Sequence, residues 1–372
     1  MPDVIISEAS YSDDSLKGRV FDLMDAVGGH RIRAGARVLI KPNLLTVARP
    51  QQAVTTHPAV VRAVAEYALD RGARVRISDS PATGSFDRFL KVGGYRAALD
   101  GLDVEFRPFE FSMPVDIGAP FGRIELARAA MAADVVINLA KLKTHAQMTL
   151  TLGVKNLFGC VVGLKKPEWH FRSGEDRGVF ARLLVQICRA VKPAITLVDG
   201  ILVMDGQGPG KSGRPRPLGV LVGGNDAVAV DWAICSLVGL PVEEFPVWRA
   251  ARELGMGSEE ITVEGEVRPV ADFRFPEPGA ILFGPPAVQN FLRQHLVQRP
   301  VVDPSRCRLC GECWRYCPAG AVEGNQKAVR FDYQRCIRCY CCVEVCPEGA
   351  LAAVDPLPAR LVKRIGWVRR RL

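Results

Sequence analysis

The chain has 372 residues, 49 Lys and Arg against 40 Asp and Glu, with 48% hydrophobic and 24% charged residues. This is an ordinary globular composition with material for one large or two smaller cores, so disordered, collagen-like and coiled-coil chains are excluded. No run approaches the roughly eighteen uninterrupted apolar residues of a membrane helix, and the first residues lack the basic and apolar regions of a secretory signal. The expectation is a soluble, cytoplasmic protein.

Residues 1–299 alternate short β-branched runs with segments of helical spacing. In chain order the strands fall at Val4–Ile6, Arg37–Lys41, Arg74–Ser78, Val135–Leu139, Ile195–Val198 and Val220–Val222. The helices fall at Leu16–Val27, Pro58–Asp70, Val179–Val191 and Asp226–Val238, and Pro58 after Thr55-Thr56-His57 suits a first-turn proline behind a cap. Such alternation implies an α/β fold, a largely parallel sheet with helices on its faces. Residues 241–299 read as the completion of this domain plus a linker near Arg299-Pro300.

Open α/β sheets bind ligands beyond the carboxyl ends of their strands. Lys41 and Asn43 follow the second expected strand, Asp79 the third, Lys141, Lys143 and His145 the fourth, and Asp199 the fifth, while Lys155 and Asn156 come next along the chain from His145. A cleft lined by lysines suits an anion. Lys41, Asn43, Asp79, Lys155, Asn156 and Asp199 are therefore the candidate substrate-binding residues. His145, Lys141 and Lys143 are the candidate catalytic residues, with His145 supplying protons.

The bland alternatives are solvated strand-end lysines and a hydrogen-bonded structural histidine. Asp79 and Asp199 suit either substrate binding or holding the lysines in place. His57 reads as a helix cap and His170 as a surface residue, or the two join His145 in a metal site. The loop Asp205-Gly206-Gln207-Gly208-Pro209-Gly210-Lys211-Ser212 superficially matches a phosphate-binding loop. It has Asp205 where the first glycine is required and prolines where a helix must start, so it reads as a tight turn against the active face.

Cysteine is the one abnormal count: of 12, nine crowd between Cys307 and Cys346. Thiols in a chain without an export signal point to metal ligands before disulfides. Two runs, Cys307-x2-Cys310-x2-Cys313-x3-Cys317-Pro318 and Cys336-x2-Cys339-x2-Cys342-x3-Cys346-Pro347, are related by a constant offset of 29 residues, so this is an internal duplication. In the bacterial two-cluster arrangement the fourth cysteine of each run ligates the other cluster. One 4Fe-4S cluster is then expected on Cys307, Cys310, Cys313 and Cys346, and the second on Cys336, Cys339, Cys342 and Cys317. Cys341 is surplus, since its counterpart in the first run is Glu312. Zinc, which usually closes a single tetrahedral site with two Cys-x2-Cys pairs, is the alternative metal.

Residues 357–372 hold Arg360, Lys363, Arg364, Arg369, Arg370 and Arg371 without an acid. They read as a solvated basic tail, or else as a short amphipathic segment attracted to anionic lipid, nucleic acid or an acidic redox partner. Basic residues elsewhere are dispersed and not interleaved with aromatics, so no nucleic-acid partner is expected.

Residues 300–355 resemble the bacterial two-cluster ferredoxins along their whole length. The phrases Lys-Pro-Asn-Leu at 41–44, Thr-Thr-His-Pro at 55–58, Ser-Asp-Ser-Pro at 78–81, Lys-Leu-Lys-Thr-His at 141–145, Gly-Val-Lys-Asn-Leu-Phe-Gly at 153–159 and Asn-Asp-Ala-Val-Ala-Val-Asp at 225–231 resemble domain-of-unknown-function family 362 over about residues 3–240. The resemblance implies an α/β domain over 1–299, a ferredoxin-like α+β domain over 300–356 and a tail over 357–372. It says little about the reaction.

Two functions of different class follow. In one, an oxidoreductase passes single electrons from a low-potential donor or redox partner protein through two 4Fe-4S clusters to a small anionic substrate. In the other, a non-catalytic ferredoxin-like carrier uses its large domain to dock a partner.

Overall fold

The alternation of apolar runs and amphipathic segments resolves into a layered domain in a computed structural model. It describes residues 3–12, 15–81, 85–163, 165–173, 176–210, 213–258, 260–265, 269–276, 295, 297–325 and 327–360. The strands are β1 (Val4–Glu8), β2 (Arg37–Pro42), β3 (Arg74–Ile77), β4 (Val104–Phe106), β5 (Ser112–Asp116), β6 (Arg123–Ala127), β7 (Val135–His145), β8 (Thr149–Thr151), β9 (Ile195–Gly206), β10 (Gly213–Gly224), β11 (Val263–Glu264), β12 (Arg299–Val302), β13 (Val322–Gly324), β14 (Val329–Phe331) and β15 (Leu351–Val354).

Nine of them form one sheet in the order β11-β1-β10-β9-β7-β2-β3-β4, with β8 paired to β7. The pairs β7–β9, β2–β7, β2–β3, β3–β4 and β1–β11 are parallel, while β1–β10, β9–β10 and β7–β8 are antiparallel. The sheet is thus mostly parallel, as the α/β reading expects.

Strand side chains alternate between the two faces. Val38, Ile40, Ile137, Leu139 and Leu197 pack with helices Leu16–Val27 and Pro58–Asp70 on one face. Leu39, Val136, Val198 and Val222 pack with helices Arg177–Val191, Ala227–Val238 and Pro246–Glu253 on the other. Helix starts are capped as the sequence implies: the His57 ring accepts from Ala59 N–H, and Asp226 accepts from Val228 and Ala229 N–H.

Two strands run far beyond their expected ends. β7 continues from Leu139 to His145 with every residue buried, and β9 continues from Val198 to Gly206. Polar residues in both extensions conceal them from an apolar-run criterion. His170, expected at the surface, is instead 4% exposed and packed between Phe158 and Phe180, because the helix Lys165–Ser173 turns this face inward.

The cysteine-rich segment adds two small antiparallel sheets, β12–β15 and β13–β14, and the short helices Glu312–Arg315 and Cys341–Val345. The duplication is visible in the backbone. Positive φ recurs at Leu309 and Arg338 (53° and 56°), at Gly311 and Tyr340 (89° and 59°), and at Gly320 and Gly349 (56° and 58°). Among the described residues no helix is long and apolar enough to cross a membrane. The basic tail beyond Arg360 lies outside the described residues.

Candidate functional site

The extended end of β7 carries Lys141, Lys143 and His145 on alternate positions, all at most 1% exposed. Burying three such groups is costly unless each finds a partner, and their partners differ. Lys141 Nζ lies 2.7 Å from Asp199 Oδ2 and 2.9 Å from the Tyr11 hydroxyl. Tyr11 itself donates to Asp199 at 2.6 Å, and its ring stacks on His57 at 3.6 Å between centroids. Burial lowers Lys141, with Asp199 pulling against it, and burial brings His57 down to about 4. Lys141, Asp199, His57 and Tyr11 thus form a closed, mutually satisfied group.

Lys41 is paired too, its Nζ 2.8 Å from Asp79 Oδ1. The Asp79 carboxylate also accepts from Leu44 N–H at 2.7 Å and Ser80 N–H at 2.9 Å. Gly159 passes so close that a Cβ there would lie 2.6 Å from Lys41 Nζ, which requires glycine.

Lys143 has no carboxylate against it among the described residues. Its Nζ donates to Asn43 Oδ1 at 2.8 Å and to the Val54 carbonyl at 2.7 Å. That bond fixes the sense of a buried amide chain: Asn43 Nδ2 donates to Asn156 Oδ1 at 3.0 Å, Asn156 Nδ2 to Asn138 Oδ1 at 2.8 Å, and Asn138 Nδ2 to the Gly153 carbonyl at 2.9 Å. Burial, followed by the nearby Lys155, brings Lys143 down to about 7.

Lys155, 9% exposed, makes no hydrogen bond or ion pair among the described residues. It sits in the short helix Gly153–Asn156, whose first N–H groups are held by Asp231 at 2.7 and 3.2 Å. Its pKa is lowered by burial, with Glu344 acting the other way.

Lys143 and Lys155 face a cavity of about 90 Å³ together with Asn43, Asp79, Asn156, Ser80, Lys166 and His170. Its other wall comes from the cysteine-rich segment: Tyr316, Cys341, Glu344 and Val345. Lys166 donates to the Ser80 carbonyl, and burial brings it to about 8.

His145 stands behind this wall and is not part of the lining. Its Nδ1 accepts from Gln147 and Met148 N–H, both at 3.1 Å, and its Nε2 lies 2.7 Å from Glu344 Oε1. Burial brings the ring down to about 4, so it is neutral at pH 7. Despite burial, the neighbouring His145 and Lys155 hold the Glu344 carboxyl well below the usual range. The glycine loop seals the same junction: Gly208 N–H donates to Thr144 Oγ1 at 3.2 Å, and Pro209 lines the cavity. A Cβ on Gly210 would lie 3.0 Å from the Val343 carbonyl. Lys211 and Ser212 lie outside the described residues.

The residues expected from sequence therefore separate. Asn43, Asp79, Lys143, Lys155 and Asn156 meet at the cavity, whereas Lys41, Lys141, Asp199 and His145 are engaged beside or behind it. Sequence reasoning assigned no place in the cleft to Lys166, His170, Cys341 or Glu344. A signal existed for the last two, which break the 29-residue repeat by standing where the first run has Glu312 and Arg315.

The cysteines border their own spaces. Cys307, Cys310, Cys313 and Cys346 line one small enclosure, so the fourth position comes from the second run. Burial, then Cys339, Cys336, Cys317 and Cys313, raise the Cys342 thiol, so thiols of both runs act on it. The two halves are tied reciprocally: Arg306 donates to the Glu348 carbonyl and Arg335 to the Ala319 carbonyl. Cys317 Sγ accepts from Ala321 N–H and Cys346 Sγ from Ala350 N–H, each at 3.2 Å. Eight thiols in these two runs, with N–H donors to sulfur, fit the donor chemistry of iron–sulfur clusters. Among the described residues no three His, Cys, Asp or Glu side chains are grouped to hold a single metal ion.

A sequence profile described as "Domain of unknown function (DUF362)" matches residues 38–236, more than half of the chain. The chain belongs to this family. A second profile, the 4Fe-4S dicluster domain, matches residues 299–347, so this member of the family carries an iron–sulfur domain. The thylakoid-associated protein sll1697 of Synechocystis sp. is 37% identical over 311 residues, covering 81% of this chain and 96% of that protein. Among solved structures, the lactate racemase apoprotein of Thermoanaerobacterium thermosaccharolyticum aligns with a TM-score of 0.39 at 13% identity. That alignment covers 63% of this chain and 57% of the racemase, and it carries no inference about chemistry.

Proposed function

We propose that the protein is an iron–sulfur oxidoreductase that delivers single electrons to a small anion held by Lys143, Lys155 and Lys166. One observation carries the reading: a single cavity is walled on one side by these lysines and on the other by the helix Cys341–Val345, which also bears Cys342. In this reading residues 1–299 are the substrate domain, 300–356 the two-cluster domain and 357–372 a basic tail. The ligands are Cys307, Cys310, Cys313 and Cys346 for one cluster and Cys317, Cys336, Cys339 and Cys342 for the other. When bound, the clusters supply one-electron transfer. A low-potential donor or redox partner protein supplies the electrons, and a reducing cytoplasm keeps the thiols available.

The chain's own residues do the remaining work. Lys155, buried with no ion-pair partner among the described residues and only the charge of Glu344 across the cavity acting on it, attracts an anion. Asn43 and Asn156 hold Lys143 and the cavity floor in one hydrogen-bonding sense. Lys143, brought to about 7, can give and take a proton near neutrality. His145 fixes Glu344, and with it the module's helix, against the end of β7.

The test is anaerobic reduction followed by a screen of small carboxylates and phosphorylated compounds for reoxidation of the iron–sulfur absorbance. The expected outcome is that one class responds and that Lys155→Met abolishes the response with iron content intact. If no metabolite reoxidises the protein while a redox protein does, the carrier reading replaces this one.

A further inference from the structure

The two halves of the cysteine-rich segment are copies in backbone but not in surroundings, and Arg338 is a position where the second half gains a buried positive charge. It occupies the same left-handed turn position as Leu309, 29 residues earlier. Leu309 is half-buried. Arg338 is 5% exposed, and none of its three guanidinium nitrogens finds an oxygen acceptor among the described residues, the Cys336 sulfur being the acceptor beside it. No carboxylate pairs with it there. The groups it meets are the Tyr333 ring, 5.2 Å from the guanidinium to the centroid, and the ligand-set residue Cys336. A buried arginine stays charged and is normally paired, so an unpaired one needs a countercharge. The thiolates of the second half are the anions at hand.

We propose that Arg338 makes the half containing Cys317, Cys336, Cys339 and Cys342 the better electron acceptor of the two, so that electrons arriving at the first half come to rest beside the cavity. This rests on the two-cluster reading under "Proposed function". An added electron increases the negative charge on its host. A fixed, desolvated cation beside one set of ligands favours that charge there, and net charge and hydrogen bonds to sulfur are what tune such sites.

Burial works in the opposite direction. Cys336, Cys339 and Cys342 are all buried, whereas Cys310 of the first half is exposed. Without Arg338 the inner half would be the poorer acceptor, and electrons would collect at the surface. Exposed Cys310 is correspondingly the port for the donor. Cys313 and Cys346 of the first set pack in one cluster with Cys342 of the second, so the two sets are adjacent. One electron moves at each step: a one-electron donor is oxidised as the first half gains the electron, and the first half returns to its oxidised state as the second gains it. No bond forms or breaks.

The experiment is dye-mediated potentiometry of the full reconstituted chain, followed by low-temperature paramagnetic resonance, with iron and sulfide measured in every sample. The native protein is expected to show two separate one-electron steps. Arg338→Leu, which installs the residue that the sister turn already accommodates, is expected to lower the upper step and leave the lower one in place. Arg338→Lys keeps the charge and is expected to hold the upper step near its native position. Should the leucine variant bind less iron than native, Arg338→Gln against Arg338→Lys carries the same comparison. If the lower step moves instead, or if neither moves, the proposal is overturned. Native protein without iron would overturn the two-cluster reading as well, which separates the two failures.

Discussion

The lysines of the large domain fall into two kinds, and substituting one of each separates structure from binding. Lys155 is 9% exposed and has no ion-pair partner among the described residues, so folding strips its water and returns little. Lys155→Met keeps the stem and removes the charge. It is expected to raise the stability of anion-free protein by about 1–3 kcal/mol, a fraction of the several kcal/mol that desolvating an ion costs. Asp79 is the contrast. It holds Lys41 at 2.8 Å with that lysine fully buried, so Asp79→Asn strands a charge and is expected to lose about 3–5 kcal/mol.

Anaerobic urea unfolding measures both, with inorganic phosphate or succinate as probe anions. An anion at a hundredfold excess over its dissociation constant adds about 2.7 kcal/mol to a protein that binds it only when folded. The native protein is expected to gain on this scale and Lys155→Met to gain nothing. If Lys155→Met instead lost more than about 1 kcal/mol and neither protein responded to any anion, Lys155 would be a structural residue and the reasoning refuted.

Other expectations follow from the same geometry. Lys143 and Lys166 have pKa values of about 7 and about 8 in the fold, below the ordinary lysine value, so the unfolded chain holds more protons above pH 7. Anion-free stability is expected to rise as pH increases from 7 towards 10, and anion affinity to fall over pH 7–9. Calorimetry in buffers of different ionisation enthalpy should detect proton uptake on binding. Cys317→Ser is expected to remove iron from the half that holds Cys336, Cys339 and Cys342 and spare the other, whereas Cys341→Ala keeps about eight iron per chain. Equal loss in both would contradict the crossed pairing. Gly159→Ala drives a methyl into the Lys41–Asp79 pair and is expected to cost at least about 1–3 kcal/mol in thermal unfolding.

The sequence made the scaffold legible where side-chain periodicity carries the signal. The helices Leu16–Val27 and Pro58–Asp70 have the bounds that their apolar spacing predicts. It concealed the later parts of β7 and β9, because Lys141, Lys143, His145 and Asp199 interrupt the apolar run with groups whose partners are distant in the chain. Asp199 lies 58 residues from Lys141 and 188 from Tyr11. For the same reason, composition could not tell a paired lysine from an unpaired one. His145 shows the limit most clearly, since its neighbour Glu344 belongs to the cysteine-rich segment. No local pattern joins residues of two modules. The repeat offset did contain a clue, in Cys341 and Glu344, two of the positions where the second copy departs from the first.

Those two substitutions make the copies unequal. In the first copy Glu312 and Arg315 neutralise each other at 3.0 Å, and Arg315 stays exposed to solvent. In the second, Cys341 and Glu344 are sunk into the large domain. Duplication alone would yield two equivalent halves; altering one face left the first open to solvent and packed the second against the large domain.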